Sequence, residues 1–443
     1  MNIYSEWRSL PRHFLCTALT LSGAALLAVP APGYGRTKPG SELNILYSFC
    51  AKAECKDGKE PSTSLSFDSA GNLYGTTLTG GPRDSGVIFQ ISPDGKMHLL
   101  YTFCRKGDCF DGQGPAGPLI FDTSGAIYGI TEGGGETGYG TVFKLTLDQV
   151  SGKWKLKTIY SFCNQRCLDG IKNDGVFPTG GLAYNGQSAG LPYDGQSPLY
   201  GTTYRGGKDV GSGTVFSILP LEKAGKREKI VLNFCDPDCE TTGSNPVAGP
   251  VMDDDGNLYG ATSAGGAQNH GVVYRLSPSF SESILYNFCS AENCTDGDGS
   301  GPLRLAADGK LYGFSGGGVS GSGVAYKLTR NGKQWNYSVV HSFCADGSCT
   351  DIVLPGSGPA VDADGNIFGT ADGGANGYGL VFKLHGDGET VLYNFCSQAN
   401  CPDGGNPWGG VTLDSASHLF GTTVIGGAHG DIYTGGTVYE LIK

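Results

Sequence analysis

Fourteen of the fifteen cysteines form seven close pairs, which could bind a metal, carry out thiol redox chemistry or form short disulfides. In every pair the first cysteine follows a phenylalanine, and the second comes four or five residues later. The pairs are Cys50 and Cys55, Cys104 and Cys109, Cys163 and Cys167, Cys235 and Cys239, Cys289 and Cys294, Cys344 and Cys349, and Cys396 and Cys401. A zinc site needs four converging ligands, and a redox site favours Cys-x-x-Cys. Neither pattern is present, so the spacing favours seven local disulfides.

The N-terminal segment supports disulfides, because it has the features of a secretory signal peptide. Arg8 and Arg12 precede the apolar run "FLCTALTLSGAALLAV" and the small, proline-rich "PAPGYG". We predict a signal peptide at 1–31, which would remove Cys16, and a linker at 32–42. No other stretch approaches the roughly 20 apolar residues of a membrane helix. The predicted location is the periplasm or the exterior, where disulfides persist.

Composition and charge narrow the class of fold and of partner. Glycine makes up 75 of 443 residues, yet apolar residues remain plentiful, which indicates a turn-dense all-β fold rather than disorder. The formal net charge is −11. A chain this acidic lacks the basic surface that binds nucleic acid or an anionic membrane surface. Neutral glycans and exported proteins remain as partners, and we expect a monomer.

An internal repeat organises residues 43–443. Each unit contains four short, strand-like segments, as in "LLYTF" (99–103), "PAGPLIFD" (115–122), "AIYGIT" (126–131) and "GTVF" (140–143). Segments this short, bounded by Gly, Asp or Asn, are typical of strands. Seven units of four strands predict an all-β, seven-bladed β-propeller with one short-loop disulfide in each blade. Because the chain starts with a lone "ILYSF" and ends in "GTVYELIK", the N-terminal strand should close the ring.

These motifs carry a resemblance to a known family. The combination of "DSAGNLYGTT" (68–77), a glycine pair, "GVIF" (86–89) and an "LYSF"-type strand resembles the GloVer tandem-repeat proteins, predicted exported bacterial propellers. The added Cys-x3-4-Cys-x-Asp-Gly motif in these units is similar to one subset of that family. The resemblance implies the fold and export but no catalytic residues. Many such proteins carry a C-terminal sorting tail, and because this sequence ends within a strand we do not expect a surface anchor.

Two acidic patterns suggest calcium. "DDDGN" (253–257) and "DADGN" (362–366) have spaced carboxylates, but Asp and Gly also suit tight hairpins, and no distal Glu follows as in an EF-hand. Oxygen donors also break the repeat before the inner-strand proline. They are Glu60, Asn245 and Asn406, with Asp298 assigned to the corresponding position before Gly299. These four define a candidate metal site at one opening of the channel, with calcium as the candidate ion and no cofactor required.

A second candidate site lies in the last repeat. The loop "TTVIGGAHGDIYTGG" (422–436) is extended and should bring His429, Asp431 and Tyr433 to the rim near Trp408. Aromatic rings can stack on a sugar while polar groups bind its hydroxyls, so these four residues form the candidate ligand-binding set. His341 replaces a repeated tyrosine and is interpreted as a core histidine. We therefore expect a binding module, with a metal-assisted hydrolase or lactonase at the channel mouth as the alternative.

Overall fold

The computed structural model describes residues 41–163, 174–208, 211–222, 228–345, 352–386, 388–430 and 433–443. The predicted signal peptide with Cys16, most of the predicted linker, and the residues Cys167, Cys349 and Asp431 lie outside this part of the chain. Within it, no helix is long and apolar enough to span a membrane. Strands dominate the described residues, and the longest helix is the single turn Cys239–Thr242.

Seven antiparallel sheets form the blades of a β-propeller, which confirms the predicted fold. Blade I contains β2 (Ser66–Phe67), β3 (Leu73–Thr77), β4 (Val87–Ile91) and β5 (Met97–Thr102), and blade II contains β6 (Gln113–Phe121), β7 (Ile127–Gly133), β8 (Thr141–Asp148) and β9 (Lys153–Ser161). Blade III contains β10 (Val176–Ala183), β11 (Leu199–Arg205), β12 (Thr214–Ile218) and β13 (Glu228–Asn233).

The innermost strand of blades IV to VI is split into two pieces. Blade IV contains β14 (Ser244–Pro246), β15 (Val251–Met252), β16 (Leu258–Ala264), β17 (Val272–Leu276) and β18 (Glu282–Asn287). Blade V contains β19 (Asp298–Ser300), β20 (Arg304–Leu305), β21 (Leu311–Gly316), β22 (Val324–Asn331) and β23 (Gln334–Ser342). Blade VI contains β24 (Ile352–Pro355), β25 (Ala360–Val361), β26 (Ile367–Gly373), β27 (Leu380–His385) and β28 (Gly388–Asn394).

The N-terminal strand closes the ring, as predicted. Blade VII contains β29 (Val411–Leu413), β30 (Leu419–Thr423) and β31 (Thr437–Ile442), with β1 (Glu42–Ser48) as its outermost strand. β1 pairs antiparallel with β31 from Glu42 opposite Ile442 to Ser48 opposite Thr437. The two ends of the repeat region therefore share one sheet, and their backbone hydrogen bonds hold the first blade beside the last.

The hydrophobic core consists of seven clusters, and each takes its buried residues from two neighbouring blades. Phe49 and Phe89, for example, join blades VII and I with ring centroids 5.1 Å apart. The aromatic residues of the repeated "VF" and "VY" motifs are fully buried in these clusters. The period-2 pattern of each strand thus directs one face to each neighbouring blade.

A repeated glycine and a repeated proline lock neighbouring blades together. A Cβ on Gly86 would lie 2.5 Å from Cδ of Pro115 in the next blade, and a Cβ on Gly436 would lie 2.6 Å from Cδ of Pro61. Both glycines have positive φ, at 91° and 104°, which glycine adopts without the strain other residues incur. The glycine before the third strand therefore makes space for the proline of the following blade in every blade except blade IV, where blade V has no proline at this position.

Disulfides close the completely described cysteine loops. Disulfides join Cys50 to Cys55, Cys104 to Cys109, Cys235 to Cys239, Cys289 to Cys294, and Cys396 to Cys401. In the first loop the fully buried Asp57 accepts the amides of Ala51 and Lys52 and the hydroxyl of Tyr47. Asp111, Asp296 and Asp403 bind their loops in the same way. The loop motif thus combines a disulfide with a buried carboxylate that caps backbone amides.

The acidic turns at the opposite ends of the blades bind their own backbone. Asp253 accepts hydrogen bonds from the amide and side chain of Asn257 and from the hydroxyl of Tyr259. Asp362 accepts the amides of Asp364 and Asn366. These contacts support the turn interpretation of both acidic motifs, because the carboxylate oxygens already have protein donors.

Candidate binding site at the channel mouth

The channel mouth on the cysteine-loop face is a ring of residues that precede the inner-strand prolines, with Gly299 before Ser300 at the corresponding position of blade V. Six of these residues each donate their backbone amide to a carbonyl of the preceding blade. The Glu60 amide donates to the Gly435 carbonyl at 2.8 Å, and the Asn406 amide donates to the Tyr378 carbonyl at 2.7 Å. The other four donors are Gly114, Phe177, Asn245 and Gly299. All six have φ between 55° and 64°. Left-handed backbone is costly for non-glycine residues and is common at functional sites.

The predicted position of Asp298 in this ring differs from the observed one. Gly299 makes the ring hydrogen bond, to the carbonyl of His270, and has the left-handed φ. Asp298 lies one residue earlier and pairs with Gly316 on β21, as Gln113 pairs with Gly133 in blade II. The offset arises because blade V has Ser300 where other blades have proline. Asp298 instead binds Nδ1 of His270 through Oδ1 at 2.7 Å.

The other predicted metal ligands lie in the ring but on separate blades. Asn245 uses its side-chain amide to cap the carbonyls of Tyr204 and Gly211, and its Oδ1 accepts the hydroxyl of Ser244. Glu60 belongs to blade I and Asn406 to blade VII, and both are half-buried. The predicted metal site therefore remains a prediction, with Asn245 and Asp298 already engaged within the protein.

His270 also lies close to a disulfide. One of its ring nitrogens and the sulfurs of Cys289 and Cys294 lie within 4.8 Å of one another. The two sulfurs are bonded to each other, so neither is a thiolate that could ligate zinc. Among the described residues this is the group of three metal-ligand types whose atoms all lie within 4.8 Å of one another, and the disulfide accounts for its compactness.

Trp408 occupies a joint between two blades at the channel mouth. Its indole Nε1 donates to Oδ1 of Asp372 in blade VI over 3.2 Å, and its ring is half-buried. The corresponding residues in the other repeats are all smaller: Ser62, Ala116, Thr179, Val247, Gly301 and Gly356. The structure thus places Trp408 beside a carboxylate that the sequence analysis did not select.

The extended loop starts at the same end of blade VII. The amide of Val424 donates to the carbonyl of Asn406, two residues before Trp408. His429 is exposed, and Tyr433 is 75% exposed. Their backbone is anchored at the base of the loop, where the Gly436 amide donates to the Gly426 carbonyl. The loop therefore presents an exposed imidazole and phenol on the face that carries Trp408.

A buried carboxyl group lies at the joint between blades II and III. Glu132 is only 8% exposed, and burial raises its pKa to about 8. It follows Thr131 near the end of β7, the strand that pairs with the inner strand of blade II. Across this joint the rings of Tyr139 and Phe177 meet edge to face, 5.6 Å between centroids. A carboxyl that is neutral at pH 7 can donate a proton or a hydrogen bond.

Glu132 and Asp372 share a position that could have been found in the sequence. Each stands directly after the second residue of the repeated "TT" motif at the end of a second strand. The other repeats have Leu78, Tyr204, Ser263, Gly316 and Val424 at this position. A comparison of repeats at this position, rather than only before the prolines, would have identified both carboxylates.

Sequence comparison identifies the family. The model of the Gloeobacter/Verrucomicrobia repeat matches residues 34–191 and 172–315. The chain belongs to this repeat family. The cysteine pairs place it in the subset of Gloeobacter/Verrucomicrobia repeat proteins predicted from the motifs, and the repeat continues structurally through blade VII. No curated protein matches the sequence.

Solved structures align with this repeat protein at low sequence identity. The extracellular domain of the one-component system BT4673 from B. thetaiotaomicron aligns with a TM-score of 0.50 and 9% identity, over 89% of this chain and 39% of that one. A puromycin-hydrolysing peptidase from Mycobacterium tuberculosis aligns with a TM-score of 0.46 and 11% identity, over 81% of this chain and 48% of that one. The repeat protein spans less than half the length of either, and identities this low concern the fold alone.

Proposed function

We propose that this repeat protein is exported to the periplasm or the exterior and acts there as a binding module. Its ligand is a glycan, or an extended segment of an envelope or extracellular protein. The site is the channel mouth around Trp408. Export is supported by the disulfide in each completely described cysteine loop, because such bonds persist in oxidising compartments.

The observation that carries the proposal is the contact between Trp408 and Asp372. A propeller needs only a small residue at this position, as the other six repeats demonstrate. The large indole is held by a carboxylate from the preceding blade. In repeat proteins the residues common to all units serve the fold, so a residue that departs from the repeat, such as Trp408, is a candidate for function. A fixed aromatic ring with polar neighbours is a frequent anchor for a ligand.

The test compares the oxidised protein with Trp408→Ser, which introduces the residue of blade I. Both are applied to a glycan array and to an array of peptides from extracellular proteins. We expect binding to one array that Trp408→Ser reduces by at least tenfold, or about 1.4 kcal/mol. The matched control Ser62→Ala should bind like the wild type. Equal binding by Trp408→Ser would exclude this site.

The alternative is a hydrolase or lactonase at the channel mouth, and one observation favours it. Glu132 has a pKa near neutrality, as a general acid or base requires. The test is hydrolysis of ester and lactone substrates by the wild type and by Glu132→Gln, each with EDTA or calcium. Turnover that is lost in Glu132→Gln would support an enzyme. If no ester or lactone is hydrolysed in any condition, the hydrolase alternative is contradicted and the binding module remains the proposed function.

A further inference from the structure

Two adjoining cavities lie between blades IV and V, near the acidic turns and thus at the opposite ends of the strands from the channel mouth. Trp335 lines both of them. One cavity has a volume of about 390 Å³ and the other about 340 Å³. Volumes of this size suit small organic ligands. Neither cavity includes a residue of the channel-mouth site.

The two cavities that share Trp335 form one groove. This groove exists because the outer hairpin of blade V is longer than that of blade IV. β22 has eight residues and β17 has five, so the end of β22 and the start of β23 extend past the neighbouring blade. Two aromatic contacts hold this extension. Tyr337 stacks on Tyr286 with centroids 3.6 Å apart, and Trp335 meets Tyr259 edge to face at 5.5 Å. Trp335 is therefore a fixed, half-buried wall between the cavities.

The larger cavity has a cationic lining. Arg275 and Lys333 face it together with Ser283 and Gln334, and no carboxylate is among its lining residues. The Arg275 guanidinium is positioned by Nη2, which donates to Oδ1 of Asn257 at 2.6 Å. Its Nε is buried and has no acceptor among the described residues. A buried donor without a partner is costly. Arg275 and Lys333 together give this cavity two cationic side chains for an anionic group.

The smaller cavity has an apolar base and a polar rim. Tyr259, Leu305 and Trp335 supply apolar surface, while Ser188, Asp254 and Thr329 supply hydroxyl and carboxylate groups. Asp308 pairs with Lys310 at 2.6 Å, while Asp253, Asp254 and Arg330 also line this cavity and leave it a net charge of −1. This combination suits a neutral, hydroxyl-bearing group that can place one apolar face on an aromatic ring.

We propose that this groove binds a short acidic saccharide. A sugar ring packs against Trp335, its hydroxyls bind the polar rim, and a carboxylate on the sugar is bound by Arg275 and Lys333. A carboxylate matches the planar fork of an arginine. The protein has a net charge of −11, so an anionic ligand is favoured at this local cationic lining rather than by the overall field. The proposal is independent of the channel-mouth function.

The test is calorimetric titration of the oxidised protein with trigalacturonate and with neutral galactotriose. We expect trigalacturonate to bind at least tenfold more tightly than galactotriose. Lys333→Glu, which changes an exposed side chain, should weaken trigalacturonate binding at least tenfold, and so should Trp335→Ala. Trp408→Ser should bind like the wild type, which separates this site from the channel mouth.

Blade II provides the matched control. Trp154 lies opposite Leu147 at the register position that Trp335 occupies opposite Arg330. Trp154→Ala should therefore leave trigalacturonate binding unchanged. The proposal is overturned if trigalacturonate does not bind, if galactotriose binds equally well, or if Lys333→Glu binds like the wild type. It is also overturned if Trp154→Ala weakens binding as much as Trp335→Ala does. Should Trp335→Ala fail to fold, Lys333→Glu still decides the outcome.

Discussion

The indole N–H of Trp408 in blade VII donates to the carboxylate of Asp372 in blade VI over 3.2 Å. The two residues are 36 positions apart in the chain, and the packing of neighbouring blades brings them together. The contact joins the one large residue at a small-residue position to one of two carboxylates that follow the repeated "TT" motif. The contact between Trp408 and Asp372 is therefore specific to blades VI and VII and is not needed for the fold of a blade.

Removal of this acceptor should cost stability. Asp372→Ala leaves the half-buried indole N–H without its carboxylate, and we expect the free energy of unfolding to fall by about 1 to 2 kcal/mol. Asp372→Asn keeps an oxygen acceptor and should cost less than half as much. Urea unfolding measures both values. If Asp372→Ala unfolds at the wild-type urea concentration, the contact contributes nothing to stability.

The pH dependence of stability should report on Glu132. Its pKa is raised to about 8 in the folded protein, whereas an exposed Glu titrates near 4.3. The folded state therefore binds this proton more tightly. The contribution is fully present below about pH 4 and declines as pH rises to about 8, by about 5 kcal/mol, because one pKa unit corresponds to about 1.4 kcal/mol.

Glu132→Gln isolates this effect. Glu228 and Glu282 also have raised pKa values, each about 7 because of burial, and they remain in both proteins. The difference in stability between wild type and Glu132→Gln should thus shift in favour of the variant between pH 4 and pH 8. Chemical unfolding at several pH values measures it. A difference that does not change with pH would contradict the raised pKa of Glu132.

The buried aspartate of a cysteine loop should matter more than an exposed one. Asp57→Ala removes the acceptor for two amides and for the Tyr47 hydroxyl, and we expect a loss of about 3 kcal/mol. Asp94→Ala is the control, because Asp94 pairs with Lys96 on the surface. Surface pairs contribute little, so Asp94→Ala should unfold at nearly the same urea concentration as the wild type. Equal effects would exclude the capping role of Asp57.

Loss of the disulfide in one cysteine loop should lower the free energy of unfolding. The chain-entropy model assigns about 2 kcal/mol to a disulfide that closes so short a loop. The double substitution Cys50→Ser with Cys55→Ser should therefore reduce the free energy of unfolding by about that amount, with the fold intact by circular dichroism. Mass spectrometry of the alkylated wild type tests the pairing. Free thiols at Cys50 and Cys55 in the oxidised protein would contradict the assignment.

Calcium binding can be tested by thermal unfolding in EDTA and in millimolar calcium. If Glu60, Asn245, Asp298 and Asn406 hold an ion, calcium should raise the melting temperature by mass action, and EDTA should reverse the rise. Glu60→Ala should abolish this effect. An identical melting temperature in both conditions would remove the predicted metal site, and with it the motive for a metal-assisted hydrolase.

The sequence by itself determined the seven blades, the cysteine loops and the closing strand. Strand length, turn residues and cysteine spacing are local properties, and seven repetitions make each of them unambiguous, as at Cys50 and Cys55. β1 and β31 could be paired from the sequence because each is incomplete as a blade alone.

The tertiary structure decided which side chains meet. Glu132 became identifiable as a buried carboxyl with a raised pKa only in the folded chain, because burial depends on the surrounding blades and not on local sequence. Asp298 does not occupy the ring position predicted from residue spacing, because Gly299 makes the ring hydrogen bond and has the left-handed backbone. The groove at Trp335 likewise depends on how far one hairpin extends beyond the next blade, a relation between two units that neither repeat specifies alone.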